Sequence, residues 1–299
     1  LVTDGSRTLQ VKGGHPMMAR LVGTGCLSSA VIAAALAVQP GVDAVAETLL
    51  WLGAAGESAA AIADGPGSFV PAFLDGLANV DALPAGRISR PLADQLALYV
   101  IVSGATPLAV VRAALEGGAG MIQWREKALD LPAQVAAATQ VRDLCRAYGA
   151  LFLVNDRVDL ALALDSDGCH VGQEDLPVPL ARRLLGPDKI IGTSVETAAE
   201  AARGEAEGCD YLGVGPIYAT PSKADAGEPH GPGVIERVTA ATRLPVVGIG
   251  GIGLGKAADV IAAGAVGIAV ISAVTGAATP LAAARALLAE VREAKGGDR

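Results

Sequence analysis

The feature that most narrows the fold is a rhythm that begins at Leu98 and runs nearly to the end of the chain. Short apolar runs alternate with stretches in which apolar residues recur every three or four positions. Runs this short are read as strands and the intervening pattern as helix, so the chain forms βα units around a parallel sheet. Eight units are expected, with strands at Leu98 to Val102, Met121 to Glu126, Leu151 to Asn155, Gly168 to Val171, Ile190 to Thr193, Tyr211 to Gly215, Val246 to Gly250 and Val266 to Ile271. Helical spacing is clearest at Val135, Val141, Leu144 and Cys145, and at Leu281, Leu287, Leu288 and Val291. Eight such units close into an α/β (β/α)8 TIM barrel, the open doubly wound sheet being the alternative.

Residues 1 to about 80 break the rhythm: a strand-like Thr8 to Val11, a glycine turn, then long Ala-rich helices from Gly25 to Val38 and Asp43 to Ala63. They form a separate unit. The stretch 81–96, with Pro84, Gly86, Pro91 and four charged residues, reads as a linker, which leaves 97–299 for the barrel. A chain of 299 residues accommodates both a barrel and a smaller unit. Apolar residues make up 52% but aromatics only 3%, which suits helices packed closely on parallel strands.

A net charge of -8 argues against nucleic acid or an anionic membrane as partner, so an anionic ligand would need a local cationic site. Small molecules are the expected partners, and self-assembly into a homo-oligomer is left open. Four scattered cysteines without C-x-x-C spacing suggest neither disulfides nor zinc, and a reducing cytoplasm is the expected location. The uncharged stretch Val260 to Ala284 is interrupted by Gly264, Gly267, Ser272, Gly276 and Pro280, and is read as buried strand, loop and helix start rather than a membrane span. The chain opens on Leu1 without an initiator Met, as a fragment would.

In a barrel the chemistry sits at the C-terminal strand ends. In the second strand Gln123, Arg125 and Lys127 lie two apart and share a face, with Trp124 and Glu126 on the other. An amide, a guanidinium fork and an ammonium suit a ligand with several negative charges, such as a pyrophosphate; surface ion pairing is the plainer reading. Asp156 and Asp175 emerge at neighbouring strand ends and could share one Mg2+, which favours oxygen ligands and substrate phosphates, although either alone could cap a helix. His170 is expected to be packed or hydrogen-bonded rather than a metal ligand. Gly248 to Gly253 matches G-x-G-x-x-G, yet the next strand supplies no acidic ribose ligand. A glycine turn at strand seven followed by Ile271-Ser272 at strand eight instead suits a monophosphate held by backbone N–H groups. After the sixth strand, Thr220, Ser222 and Lys223 stand on a long polar loop that reads as a lid or as ordinary surface.

The segments QWREK, VNDR, GCHVGQED, GTS, GVGPIYATPSK, VGIGGI and VIS, in this order on these strand ends, resemble the thiamine phosphate synthase family over about residues 97–295. The resemblance implies condensation of 4-amino-5-hydroxymethyl-2-methylpyrimidine diphosphate with a thiazole phosphate, with release of pyrophosphate. It implies that Gln123, Arg125, Lys127, Asn155, Ser194 and Lys223 hold the pyrimidine diphosphate, with Arg125, Lys127, Ser194 and Lys223 catalytic, and that Asp156 and Asp175 hold magnesium. Thr220, Ser222, Gly251, Ile271 and Ser272 would hold the thiazole phosphate, and Trp124, Glu126 and Pro221 complete the substrate-binding segments. Trp124, Ala219 and Ser222 depart mildly from the family pattern. The rival readings are a thiazole tautomerase-like barrel and a degenerate barrel that only binds ligands.

In the front segment, VTDG (Val2–Gly5), GGHP (Gly13–Pro16), GTGC (Gly23–Cys26) and GPGSF (Gly65–Phe69) resemble hydroxyethylthiazole kinase, a ribokinase-like α/β fold of which about the last third would be present. The resemblance implies an anion-binding turn at Gly23 and a catalytic-base position at Cys26; a core cysteine is the plainer reading. No kinase activity is expected from this chain, whereas a longer parent would be bifunctional.

Overall fold

A computed structural model of the protein describes residues 1–5, 8–21, 23–80, 88–89, 91–220 and 227–296. The chain divides into two compact units, Leu1–Pro91 and Leu92–Arg299. In the front unit β1 (Val2–Thr3), β2 (Thr8–Val11) and β3 (Ile88–Ser89) form an antiparallel sheet in that order. Its helices are α1 (Thr24–Val38), α2 (Val42–Ile62) and α3 (Pro66–Ala78). Its larger core joins Leu52, Ala55 and Ala59 of α2 to Phe69 and Phe73 of α3. The two phenylalanines, one helical turn apart, stack with ring centres 5.8 Å apart.

The second unit is the expected closed barrel. Its strands are β4 (Leu98–Val102), β5 (Met121–Trp124), β6 (Leu151–Asn155), β7 (Gly168–Val171), β8 (Ile190–Val195), β9 (Tyr211–Val214), β10 (Val246–Ile249) and β11 (Gly267–Val270). All neighbours pair in parallel, and β11 closes on β4. The helices are α4 (Leu92–Gln95), α5 (Leu108–Glu116), α6 (Leu131–Tyr148), α7 (Val158–Ala163), α8 (Val178–Leu185), α9 (Ala198–Glu207), α10 (Gly233–Thr239), α11 (Ala257–Ala262), α12 (Ser272–Thr275) and α13 (Pro280–Ala294). The uncharged stretch from Val260 is the end of α11, β11, α12 and the start of α13. Among the described residues no helix is long and apolar enough to cross a membrane.

Two apolar layers follow from the period of two along each strand. Leu98, Val100, Ile122, Trp124, Phe152 and Val154 face the helices, whereas Tyr99, Ile101, Met121, Leu153, Tyr211, Val247 and Ala269 fill the barrel interior. Two boundaries and one helix face differ from the sequence reading in ways that matter. Strand β5 stops at Trp124, so Arg125 and Lys127 stand on the loop beyond it. Helix α4 and the fully buried Leu96 belong to the barrel unit, so the last residues of the expected linker are structural; residues 81–87 and 90 lie outside the described residues. On α6, Gln134 is buried in place of the exposed Val135, its amide donating to the Leu129 carbonyl at 2.8 Å.

Candidate active site

A cavity of about 1050 Å³ opens at the C-terminal ends of the strands. From the β5 side Gln123, Arg125 and Lys127 line it; Arg125 N–H donates to the Val102 carbonyl at 2.8 Å, which continues the ladder past the strand and aims the guanidinium inward. Asn155 ends β6, and Asp156 follows with φ at 61°, a left-handed conformation that aspartate tolerates better than most residues. Asp156 N–H donates to the His170 carbonyl at 2.8 Å, locking this turn to β7.

Beyond β7, Asp175 accepts from Gly172 N–H at 2.7 Å and meets Asp156 side chain to side chain. Burial, then the hydrogen bond and repulsion from Asp175, push Asp156 up to about 6, against the pull of Lys127 and Arg125. Two carboxyl groups forced together beside two cations form an all-oxygen donor pair that a small divalent cation could hold with ligand oxygens. Among the described residues no group of three or more His, Cys, Asp or Glu is placed to hold an ion, so a metal here would take its further donors from ligand oxygens and water.

On the opposite wall Gly250 and Gly251, at φ 97° and 64°, turn the chain after β10. A Cβ on Gly251 would stand 2.5 Å from the Ala219 carbonyl oxygen, so only glycine lets this turn pass the segment that carries Thr220. Thr220, Gly251, Ile271 and Ser272 all line the cavity there. Lys256 lies on the same wall, with Nζ 3.2 Å from the Gly251 carbonyl oxygen and 4.6 Å from the centre of the Tyr218 ring. The cavity thus has an acidic and cationic side at β5–β7 and a glycine-turn side at β10–β11.

The structure brings together most of the residues singled out in the sequence, but not all. Trp124 is a correction: the period of two turns it outward, and it is buried between strands and helices. Glu126 is another. It accepts from the N–H groups of Gly104 (2.7 Å), Ala128 (2.5 Å) and Leu129 (3.2 Å), so its oxygens shape the loop around Lys127 instead of facing the cavity. Pro221, Ser222 and Lys223 lie outside the described residues. In the front unit Gly23 precedes α1 with φ at 100° and Cys26 is exposed, which overturns the core-cysteine reading.

Sequence reasoning overlooked the interior of the barrel beneath the cavity. Gln123 Nε2 donates to Tyr99 Oη at 2.5 Å, the hydroxyls of Tyr99 and Tyr211 meet at 3.1 Å, Tyr211 Oη lies 2.9 Å from His170 Nδ1, and His170 Nε2 lies 3.0 Å from Ser194 Oγ. Polar residues at inward positions of otherwise apolar strands were the available signal.

Residues 98–274 match the thiamine monophosphate synthase family and residues 1–82 the hydroxyethylthiazole kinase family. The thiamine biosynthesis bifunctional protein ThiM/ThiE of Symbiobacterium thermophilum is 61% identical over 99% of this chain, which spans 64% of that relative's length. The thiamine-phosphate synthase of Moorella thermoacetica is 53% identical over 67% of this chain and 97% of its own. Among solved structures, the thiamine phosphate pyrophosphorylase from Pyrococcus furiosus superposes with a TM-score of 0.64 at 41% identity, covering 69% of this chain and all of that one (100%).

Proposed function

The chain belongs to the thiamine monophosphate synthase family, and from that premise we propose that its barrel joins 4-amino-5-hydroxymethyl-2-methylpyrimidine diphosphate to 4-methyl-5-(2-hydroxyethyl)thiazole phosphate, releasing pyrophosphate. The observation that carries the reading is the split cavity, with cations and paired carboxylates on one wall and a glycine turn on the other. Gln123, Asn155 and Ser194 hold the pyrimidine diphosphate, and Arg125 and Lys127 bind its phosphates. Gly251, Ile271, Ser272 and Thr220 hold the thiazole phosphate, with Ser222 and Pro221, and Lys223 joins the residues that hold the pyrimidine diphosphate.

The reaction breaks the bond between the pyrimidine methylene and the diphosphate oxygen, with the electron pair leaving on pyrophosphate. The thiazole nitrogen then supplies the pair for the new carbon–nitrogen bond. No proton is transferred, so no protein nucleophile or base is needed. The residues have two tasks: to offset charge that grows on the departing oxygens, and to hold the ring nitrogen in line with the methylene. Asp156 and Asp175 would hold magnesium, which when bound supplies further positive charge at the pyrophosphate. Arg125 and Lys127 act on the same oxygens, in a cavity wall that keeps them within reach of the two carboxylates.

Incubating the protein with both substrates and magnesium and assaying thiamine phosphate and pyrophosphate tests the reading; folded protein that forms neither overturns it. Asp175→Asn keeps an oxygen for the Gly172 N–H but removes a charge. It is expected to lower magnesium-dependent turnover at least roughly tenfold with little change in thermal unfolding. Unchanged turnover would remove Asp175 from the metal site.

A further inference from the structure

The chain of contacts from Gln123 to Ser194 has an internal logic that the proposed reaction does not use. It crosses the barrel interior from β5 to β8 through Tyr99 on β4, Tyr211 on β9 and His170 on β7; Gln123, Tyr99, His170 and Ser194 line the cavity, and of these Ser194 is the exposed one. Strand register explains how His170 and Tyr211 meet. His170 pairs with Gly192 and Gly192 with Tyr211, so the two side chains flank a strand position without one. A Cβ on Gly192 would lie 2.2 Å from Tyr211 Cζ, and one on Gly213 would lie 3.1 Å from His170 Cε1. Both glycines are spaces that the rings occupy.

Each hydroxyl here can give one hydrogen, and a neutral imidazole donates through one nitrogen and accepts through the other. Such a chain has two self-consistent directions. Because the Gln123 amide nitrogen faces Tyr99, Tyr99 accepts there and gives its hydrogen to Tyr211, and Tyr211 gives its own to His170 Nδ1. Nε2 must then carry the imidazole proton and donate to Ser194 Oγ.

We propose that Tyr99, Tyr211 and His170 are positioning residues, forming a one-way relay that keeps His170 neutral with its proton on Nε2 and turns the Ser194 hydroxyl hydrogen into the cavity. Ser194 is thereby a committed donor. Its main chain is fixed as well, since Gln173 Nε2 donates to the Ser194 carbonyl at 2.6 Å. Under the function proposed above, on which only this last step rests, the hydroxyl serves an acceptor atom of the pyrimidine diphosphate.

Two measurements on the full chain decide the matter. Long-range proton–nitrogen NMR correlations on histidine-labelled protein read the tautomer directly, and with three histidines in the chain, His15→Gln and His230→Gln assign the signals by elimination. A protonated Nε2 with an unprotonated Nδ1 is expected at His170; a proton on Nδ1 would mean the chain runs the other way and overturns the relay. The second measurement uses Tyr211→Phe, with Tyr99→Phe as the alternative should the first variant not fold. Each removes a link while keeping ring volume, and is expected to mix the His170 tautomers and raise KM for the pyrimidine diphosphate roughly tenfold, the value of one neutral hydrogen bond. KM for the thiazole phosphate should stay where it is. A tautomer and KM values unchanged in the variant would show that the rings merely fill space. If the parent protein makes no thiamine phosphate, the reaction falls, while the tautomer still decides the relay.

Discussion

Trp124 and Glu126 sit inside the segment that carries the cationic wall, yet both act on stability. Trp124 is buried in the outer layer with its indole N–H unpartnered. Trp124→Ala is expected to cost about 3–5 kcal/mol in denaturant unfolding. Trp124→Phe should recover most of that, because it also discards a buried donor that has no acceptor. In neither variant should KM rise in the protein that remains folded; a rise would put the indole in the site. Glu126 titrates below its ordinary value of 4.5: burial pushes it up, but the N–H groups of Ala128, Gly104 and Leu129 outweigh this by favouring the charged form. A carboxylate with a depressed folded value stabilises the fold above its unfolded pKa, and that contribution disappears as pH falls through the folded value. The loop around Lys127 is therefore expected to loosen as pH falls through that depressed value. Amide exchange at Ala128 and Leu129 should accelerate there in the parent but show no such step in Glu126→Gln.

At the scale of elements, the turn after β10 is the part of the site most dependent on backbone. Gly251→Ala combines a φ of 64° with a Cβ 2.5 Å from the Ala219 carbonyl, so both the turn and the Thr220 segment must shift. KM for the thiazole phosphate should rise at least roughly tenfold while KM for the pyrimidine diphosphate moves little, since a misplaced backbone donor loses a charge-assisted hydrogen bond. Equal effects on both substrates would remove the division of the cavity into two walls. The elements themselves were legible in the sequence because apolar runs of parallel strands are continuous, and every residue of β4 is indeed buried. What periodicity could not fix was where β5 ends, because Arg125 keeps a ladder bond to Val102 after the strand proper has stopped. The relay was illegible for another reason. Tyr99 and Tyr211 lie 112 positions apart, and only closure of the barrel makes them neighbours.

Considered as a whole, the molecule has the proposed site and most of its packing in one of its two units. The barrel carries two apolar layers of its own and a sheet without free edges, and the Moorella thermoacetica relative matches it over nearly its whole length. A fragment comprising residues 92–299 is therefore expected to fold cooperatively and to keep kcat/KM for both substrates within about threefold of the full chain, a difference of less than one hydrogen bond. It must start no later than Leu92: Leu96 is fully buried inside the barrel, and a Cβ on Gly120 would stand 2.3 Å from the Gln95 carbonyl oxygen, so α4 is wedged against the barrel's base. A fragment beginning at residue 97 should unfold at lower denaturant, because it gives up the buried Leu96, a loss of about 2–5 kcal/mol by analogy with emptying a core leucine site. The front unit makes the opposite case. Helix α1, which carries Cys26 and follows Gly23, has no fully buried residue and reaches the α2–α3 core through the partly buried Leu27, so few core contacts fix an anion-binding turn there. ATP-dependent phosphorylation of hydroxyethylthiazole by the full chain should accordingly be undetectable. Were the shorter fragment as stable as the longer, α4 would be an ornament; were the 92–299 fragment inactive, the front unit would have to supply something the barrel lacks.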